Sequence, residues 1–282
     1  MPRPDHGVLY IVATPIGNLD DITRRAVSLL EAMDAIAAED TRHSANLLKH
    51  LGITTPVFAL HEHNEAAKAD AVIARLEKGD SIALISDAGT PLISDPGYVL
   101  VNAARQKGIQ VVPVPGASSV LAALSCSGLP TDRFAFEGFL PVKQVARCKR
   151  LQDVVDDART LIFFEAPHRL LDCLQDMCTV FGASRRAILA RELTKTFETF
   201  LDAPLGELTA QVAADANQSR GEIVLVIAGN TETPMLDARN KVLFNLLRKE
   251  LPMKKAAALA ARITGVSKNT YYQFGLEDPQ DA

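Results

Sequence analysis

The segment SIALISDAGTPLISDPG, residues 81–97, decides how this chain is read. Its first six residues form an apolar run of one buried strand's length, and the run ends at Asp87-Ala88-Gly89-Thr90-Pro91. Leu92-Ile93-Ser94-Asp95-Pro96-Gly97 follows before helical spacing resumes. A strand feeding a loop of Asp, Gly and Pro marks the place where open α/β sheets receive ligands, past the carboxyl ends of their strands. Asp87 can accept hydrogen bonds from an amine or a ribose, and Gly89 and Gly97 let a ligand come close to the backbone.

Upstream, VLYIVA (8–13) is another apolar run that stops at Thr14-Pro15-Ile16-Gly17-Asn18, and a helix follows with Ile22, Ala26, Leu29 and Leu30 on one face. Asp20 or Asp21 is the expected cap of that helix. The alternation repeats as strand 34–38, helix 41–51, strand 57–60 and helix 64–78, the last with an apolar stripe of Ala69, Val72, Ile73 and Leu76 and Gly79 as its stop. Downstream come a helix near 97–107 and the strand QVVPV (110–114). Alternating strands and helices predict a parallel sheet covered on both faces.

After a small-residue helix at 117–127, Gly128-Leu129-Pro130 marks passage into a second α/β region. Its strands are expected near 134–137, 160–164, 186–190, 196–201 and 222–228, and its helices near 144–157, 167–181 and 204–214. The close spacing of ILARE and FETFL predicts an antiparallel pair, hence a mixed sheet. Residues 235–275 read as helices alone, with Pro252 opening one, Gly265 turning the chain and Ser267 capping the next, a helix-turn-helix outline. The expected organisation is an N-terminal α/β domain (1–116), a second α/β domain (117–230) and a helical appendage (231–282).

At 282 residues and 48% hydrophobic composition the chain can bury more than one core. It has no run of eighteen apolar residues and no secretory pattern at MPRPDHG, so a soluble cytoplasmic protein is expected. Cys126, Cys148, Cys173 and Cys178 lack metal or disulfide spacing and are expected to pack as small hydrophobes. His61 and His63 have no carboxylate or thiolate companions, so no metal is expected. The net charge of −4 conceals an asymmetry: residues 239–268 hold eight Lys or Arg against Glu250 alone, a local balance of +7, leaving −11 elsewhere. Lys254, Lys255, Arg262 and Lys268 there, with the run Lys143, Arg147, Lys149 and Arg150, are the candidate contacts to a polyanion.

Other strand ends converge on the crevice of residues 87–97. Pro115-Gly116-Ala117-Ser118-Ser119 opens a helix whose free N–H groups and hydroxyls can hold a carboxylate or carbonyl. Glu39-Asp40-Thr41-Arg42 follows the second strand, and Asp40 also suits an ordinary helix cap. In the second region, Phe164-Glu165-Ala166-Pro167-His168-Arg169 and Arg191-Glu192-Leu193-Thr194-Lys195 combine apolar groups able to sandwich a purine with charges able to meet phosphates. The latter charges equally suit a structural ion-pair cluster.

Taken in order, LYIVATPIGNLDDIT, AAEDTRHS, LISDAGTPLISDPG, VPVPGASS, SGLPTDRFAFEGFLP, FFEAPHRL, ARELTKTFET and RGEIVLVIAG resemble the tetrapyrrole-methylase superfamily. Within it they are similar to the branch that methylates a cytidine ribose 2′-hydroxyl in 16S ribosomal RNA. The resemblance spans about residues 8–229 and continues into KKAAALAA. It implies two α/β domains of the tetrapyrrole-methylase type, one with a parallel and one with a mixed sheet, and S-adenosylmethionine as cofactor. It also implies 16S rRNA in the 30S subunit as partner and a homodimer, with no membrane. Thr90 stands where the superfamily usually has the Asp of Gly-Asp-Pro, which suits the RNA branch. Pro15, Asp87, Gly89, Thr90, Leu92, Ser118, Ser119, Ala166, Leu193 and Glu222 are the cofactor positions expected on these grounds. Because a sulfonium methyl is already activated, the protein must align the hydroxyl and take its proton. Asp40 or Glu39 is the expected base, and Lys195 or Arg42 the expected stabiliser of the alkoxide or phosphate. A tetrapyrrole substrate and a non-catalytic RNA-binding module are the competing readings.

Overall fold

The computed structural model describes residues 7–61, 64–230, 236 and 238–277, so His63 and the first six residues lie outside the described residues. The chain separates into two compact units, 1–229 and 230–282.

The first unit contains two five-stranded sheets. In one, β1 (Val8–Val12), β2 (Ala35–Ala38), β3 (Val57–Ala59), β4 (Ile82–Ile85) and β5 (Gln110–Val114) are all parallel, in the order β3-β2-β4-β1-β5. Alternate residues face opposite ways along a strand, and both sides of this sheet are roofed. Leu9, Ile82 and Leu84 pack with Leu76 of α3 (Glu65–Glu77) and with Leu100 and Ala104 of α4 (Tyr98–Gln106). On the other face Val12, Ile36 and Ile85 pack with Ala26 and Leu30 of α1 (Arg24–Ala32) and Leu48 of α2 (Thr41–His50). Burial on both faces explains why β4 is apolar at all four positions. Because the strands are parallel, the loops after β1, β2, β4 and β5 all emerge at one edge. The cap of α1 is Thr23, whose hydroxyl accepts from the Ala26 N–H at 3.1 Å; Asp20 and Asp21 instead sit in a short 3-10 turn capped by Asn18.

The second sheet orders β6 (Phe134–Phe139), β7 (Thr160–Glu165), β10 (Ile223–Ile227), β8 (Arg186–Arg191) and β9 (Thr199–Pro204) as β6-β7-β10-β8-β9. β6 and β7 are parallel and the remaining pairs antiparallel, so the sheet is mixed as expected. Phe163, Leu189 and Leu225 pack on one face beneath Leu151 of α6 (Gln144–Asp153), Leu174 of α7 (Leu170–Phe181) and Leu208 of α8 (Leu205–Ala214). Ile162, Ile188 and Val224 face the other way and meet Val120, Ala123 and Leu124 of α5 (Ser119–Cys126). Ile16, from the loop after β1, joins this second cluster, which brings the carboxyl edge of the first sheet against the second.

Two expectations fail on burial. Arg147, read as an RNA contact, is 5% exposed and forms a buried ion pair, its Nε donating to Asp176 Oδ2 at 2.7 Å and its terminal nitrogen to the Val142 carbonyl at 3.0 Å. Every fourth residue of α6 turns inward, and position 147 falls on that stripe beside Leu151. Cys126 is exposed rather than packed, whereas Cys173 is buried.

The described residues of the second unit form three helices, α9 (Ala238–Glu250), α10 (Met253–Thr264) and α11 (Lys268–Glu277), around Phe244, Ala256, Ala257, Ala260 and Tyr271. Gly265 ends α10 at φ 77°, where a side chain would be strained, and Ser267 accepts from the Thr270 N–H at 3.1 Å. The helix-turn-helix outline is therefore present. Among the described residues no helix is long and apolar enough to cross a membrane.

Candidate active site

The loop after β4 is tied down on both sides. Thr14 and Gly89 exchange backbone hydrogen bonds of 2.9 and 3.1 Å, and Thr14 Oγ1 donates to the Ser86 carbonyl at 3.2 Å. Thr90 Oγ1 donates to the Ala117 carbonyl at 3.1 Å, joining the loop to the one after β5. Leu92 and Ser94 adopt φ of 74° and 67°, and Gly97, at 130°, leaves no room for a Cβ, which would stand 2.7 Å from Leu84 Cδ2. Non-glycine residues at positive φ are costly and persist where surrounding structure imposes them.

These loops wall a cavity of about 440 Å³ whose lining includes Glu39, Asp87, Asp95, Glu165 and Glu222. Ser118, Ala166, Leu193 and Val224 contribute its neutral surfaces, and among the described residues that line it there is no Lys, Arg or His. Glu165 is buried against Arg169, whose Nε donates to it at 2.9 Å, and Glu222 has Lys195 beside it. Glu39, Asp87 and Asp95 are therefore the three lining carboxylates without a basic partner among the described residues, and together they favour a cation. Burial raises the Glu39 carboxyl to about 6, with Asp95 and Asp87 adding to the shift. Burial likewise raises Asp95 to about 6 against the Ser86 hydroxyl, which favours its ionised form.

Of the four expected catalytic residues, Glu39 lines this cavity. Asp40 does not: its carboxylate caps α2 by accepting from the Arg42 N–H at 2.8 Å, which holds its pKa low, while its own N–H donates to Asp87 Oδ1 at 3.1 Å. Arg42 is 91% exposed and pairs with Asp40. Lys195 donates to Glu192 Oε1 at 2.8 Å and lies 3.4 Å from Glu222 Oε2, the structural ion-pair cluster. Glu192 also accepts from the Glu222 N–H at 2.9 Å.

Among the expected cofactor positions, Asp87, Gly89, Thr90, Ser118, Ser119, Ala166, Leu193 and Glu222 line the cavity. Pro15 opens instead onto a smaller cavity of about 260 Å³ that shares Asp87. Leu92 packs into the core with Leu84 and Leu100, and its left-handed backbone presents the next residue, Ile93, to the cavity. Sequence reasoning gave no role to Asp95, Ile93 or Phe139. For Asp95 the signal was its place in the same Asp-rich loop as Asp87.

The tetrapyrrole (corrin/porphyrin) methylase family profile matches residues 8–209, and the RsmI C-terminal HTH domain profile matches residues 237–278. The ribosomal RNA small subunit methyltransferase I of Pseudomonas aeruginosa is 58% identical over 275 residues, covering 96% of this chain and 97% of its own. This chain belongs to that methyltransferase I family. The family member of Escherichia coli O157:H7 is 55% identical over 272 residues, covering 96% of this chain and 95% of its own. A uroporphyrin-III-C-methyltransferase from Thermus thermophilus superposes with a TM-score of 0.55 at 21% identity, over 79% of this chain and 94% of that one, and shares the fold. Most of the residues that line the carboxylate-bearing cavity lie within the segment matched by the methylase profile, and Gly221, Glu222, Ile223 and Val224 follow it at β10.

Proposed function

We propose that this chain transfers the methyl group of S-adenosylmethionine to the ribose 2′-hydroxyl of a cytidine, position 1402, in 16S ribosomal RNA. The observation that carries the reading is the cavity lined by Glu39, Asp87 and Asp95 with no basic residue on its wall among the described residues, which suits a cofactor bearing sulfonium and ammonium charges. Ser118 and Ser119, at the start of α5, offer a hydroxyl and free N–H groups to its carboxylate, while Leu193, Ala166 and Val224 offer an apolar bed to its purine. When bound, the cofactor supplies a methyl already activated toward a nucleophile. Glu39 accepts the proton of the ribose hydroxyl; a base raised to about 6 removes it better than an ordinary surface carboxylate. The reading carries with it a cytoplasmic homodimer acting on the 30S subunit. Comparing methyl transfer to 30S subunits and to a porphyrinoid tests it, and transfer to the porphyrinoid alone would count against it.

Cofactor binding is linked to protonation. Glu39 and Asp95, raised to about 6, are partly protonated at pH 6, and a cation beside them favours the ionised forms. S-adenosylmethionine binding at pH 6 therefore releases protons, and at pH 8, where both are already ionised, it releases almost none. Calorimetry in buffers of different ionisation enthalpy measures this directly; proton uptake at pH 6 would contradict the assignment.

Lys254, Lys255, Arg262 and Lys268 are exposed and pair with no carboxylate among the described residues. Lys143 and Lys149 are exposed as well, but Arg150 pairs with Glu137 and Asp153. Removing residues 230–282 is expected to weaken 30S affinity and to flatten its log–log salt dependence by about 0.7 to 0.9 for each phosphate that is no longer neutralised. S-adenosylmethionine affinity stays unchanged. An unaltered salt slope after truncation would remove the helical unit from RNA binding.

A further inference from the structure

The strand β6 carries an irregularity at the cavity. Its pairing with β7 runs Phe136 to Ile162 and then Gly138 to Phe163 and Phe139 to Phe164, leaving Glu137 as an extra residue. In an unbroken strand Phe139 would face away from Phe136; the bulge turns it to the same side. Both rings then flank Phe164 edge-on, at centroid distances of 4.8 and 5.5 Å. Gly138 makes this possible at φ 67°, and the displaced Glu137 is held by Arg150. Phe139 thus lines the cavity while remaining 56% exposed. A fold that turns a Phe side chain partly into water forgoes part of the stabilisation that full burial would give.

The same exposure recurs in the loop after β4. Ile93 stands 41% exposed between two left-handed residues, and Ser94 Oγ lies 3.5 Å from where a Cβ at position 138 would be. Two apolar groups, one from each sheet's loops or strands, therefore flank a cavity otherwise rich in carboxylates. Those carboxylates repel phosphate, so the part of an RNA that can enter is its neutral part, ribose and base. A flat π-system stacks on a half-exposed aromatic ring, as unpaired RNA bases do on protein aromatics.

We propose that Phe139 is the stacking platform for the nucleobase of the reacting nucleotide, with Ile93 as a second apolar contact on the same cavity. This rests on the RNA reading above. Methyl transfer to 30S subunits would be measured for wild type, Phe139→Ala, Phe139→Leu and Phe139→Tyr, with S-adenosylmethionine affinity and melting temperature followed in parallel. Loss of the π-face in the Ala and Leu variants is expected to lower kcat/KM for subunits by about 5- to 150-fold, the range for one base stacked on an aromatic ring. Phe139→Tyr retains the rate, and all variants stay folded and keep their cofactor affinity. A Leu variant as active as wild type, or an equal loss of cofactor affinity, overturns the platform while leaving the RNA reading standing, because wild type still methylates subunits. A wild-type protein inactive on 30S subunits overturns both.

Discussion

Glu39→Gln should lower the single-turnover rate of methyl transfer by about 10²- to 10⁴-fold, the range for loss of a general base, while leaving the protein folded. The stability half of this expectation follows from the sign of the shift. Glu39 has a folded pKa of about 6 against the ordinary 4.5, so between those values the native state binds more protons than the unfolded state. Stability therefore falls as pH rises through that window, and above about 6 the buried charge remains a burden. Gln removes the charge and keeps the shape, so the variant should melt no lower, and at pH 7.5 somewhat higher, than wild type. The neighbouring Asp40→Asn behaves oppositely: Asn caps a helix about as well as Asp, and the Asp40 carboxylate is occupied at the Arg42 N–H outside the cavity. A near wild-type rate for Asp40→Asn beside a collapsed rate for Glu39→Gln assigns the base. The reverse pattern would return the assignment to Asp40.

Arg147→Ala is expected to destabilise the protein by about 3–5 kcal/mol, because it leaves Asp176 charged, buried and without its partner. At about 2–4 °C per kcal/mol for a unit of this size, the melting temperature should fall by roughly 6–20 °C. Gln144 Nε2, which donates to Asp176 Oδ1 at 2.8 Å, satisfies one oxygen but brings no charge. Replacing both partners with apolar residues, as in Arg147→Met with Asp176→Leu, should restore most of the loss. Lys149→Ala, two positions along the same helix but exposed, should leave the melting temperature within about 0.5 kcal/mol of wild type in free-energy terms. Equal melting temperatures for Arg147→Ala and wild type would show that the ion pair contributes little.

The fold was legible wherever one periodicity ruled. Apolar runs such as 82–85 and the Ala69, Val72, Ile73, Leu76 stripe are set by burial on both faces of a parallel sheet, and a single sequence carries that signal in full. The candidate site was legible in its loops, since Asp87, Thr90 and Ser118 announce strand ends by composition. It was not legible in side-chain direction. Asp40 and Glu39 are adjacent in EDTR, and which of them enters the cavity depends on how β2 ends and α2 is capped. Phe139 was hidden because a one-residue bulge inverts the alternation on which strand facing is read. Arg147 looked like one more member of a basic run, yet a helix sorts such a run by angle and turned that residue toward Asp176.

The most direct measurement is to map ribose methylation in 16S ribosomal RNA from cells with and without the gene, and then to add the purified protein and labelled S-adenosylmethionine to the unmethylated 30S subunits. The expected result is a single cytidine whose ribose 2′-O-methyl group is absent without the gene and restored by wild type but not by Glu39→Gln. An unchanged map, or a methyl group placed on a base instead of a ribose, would contradict it.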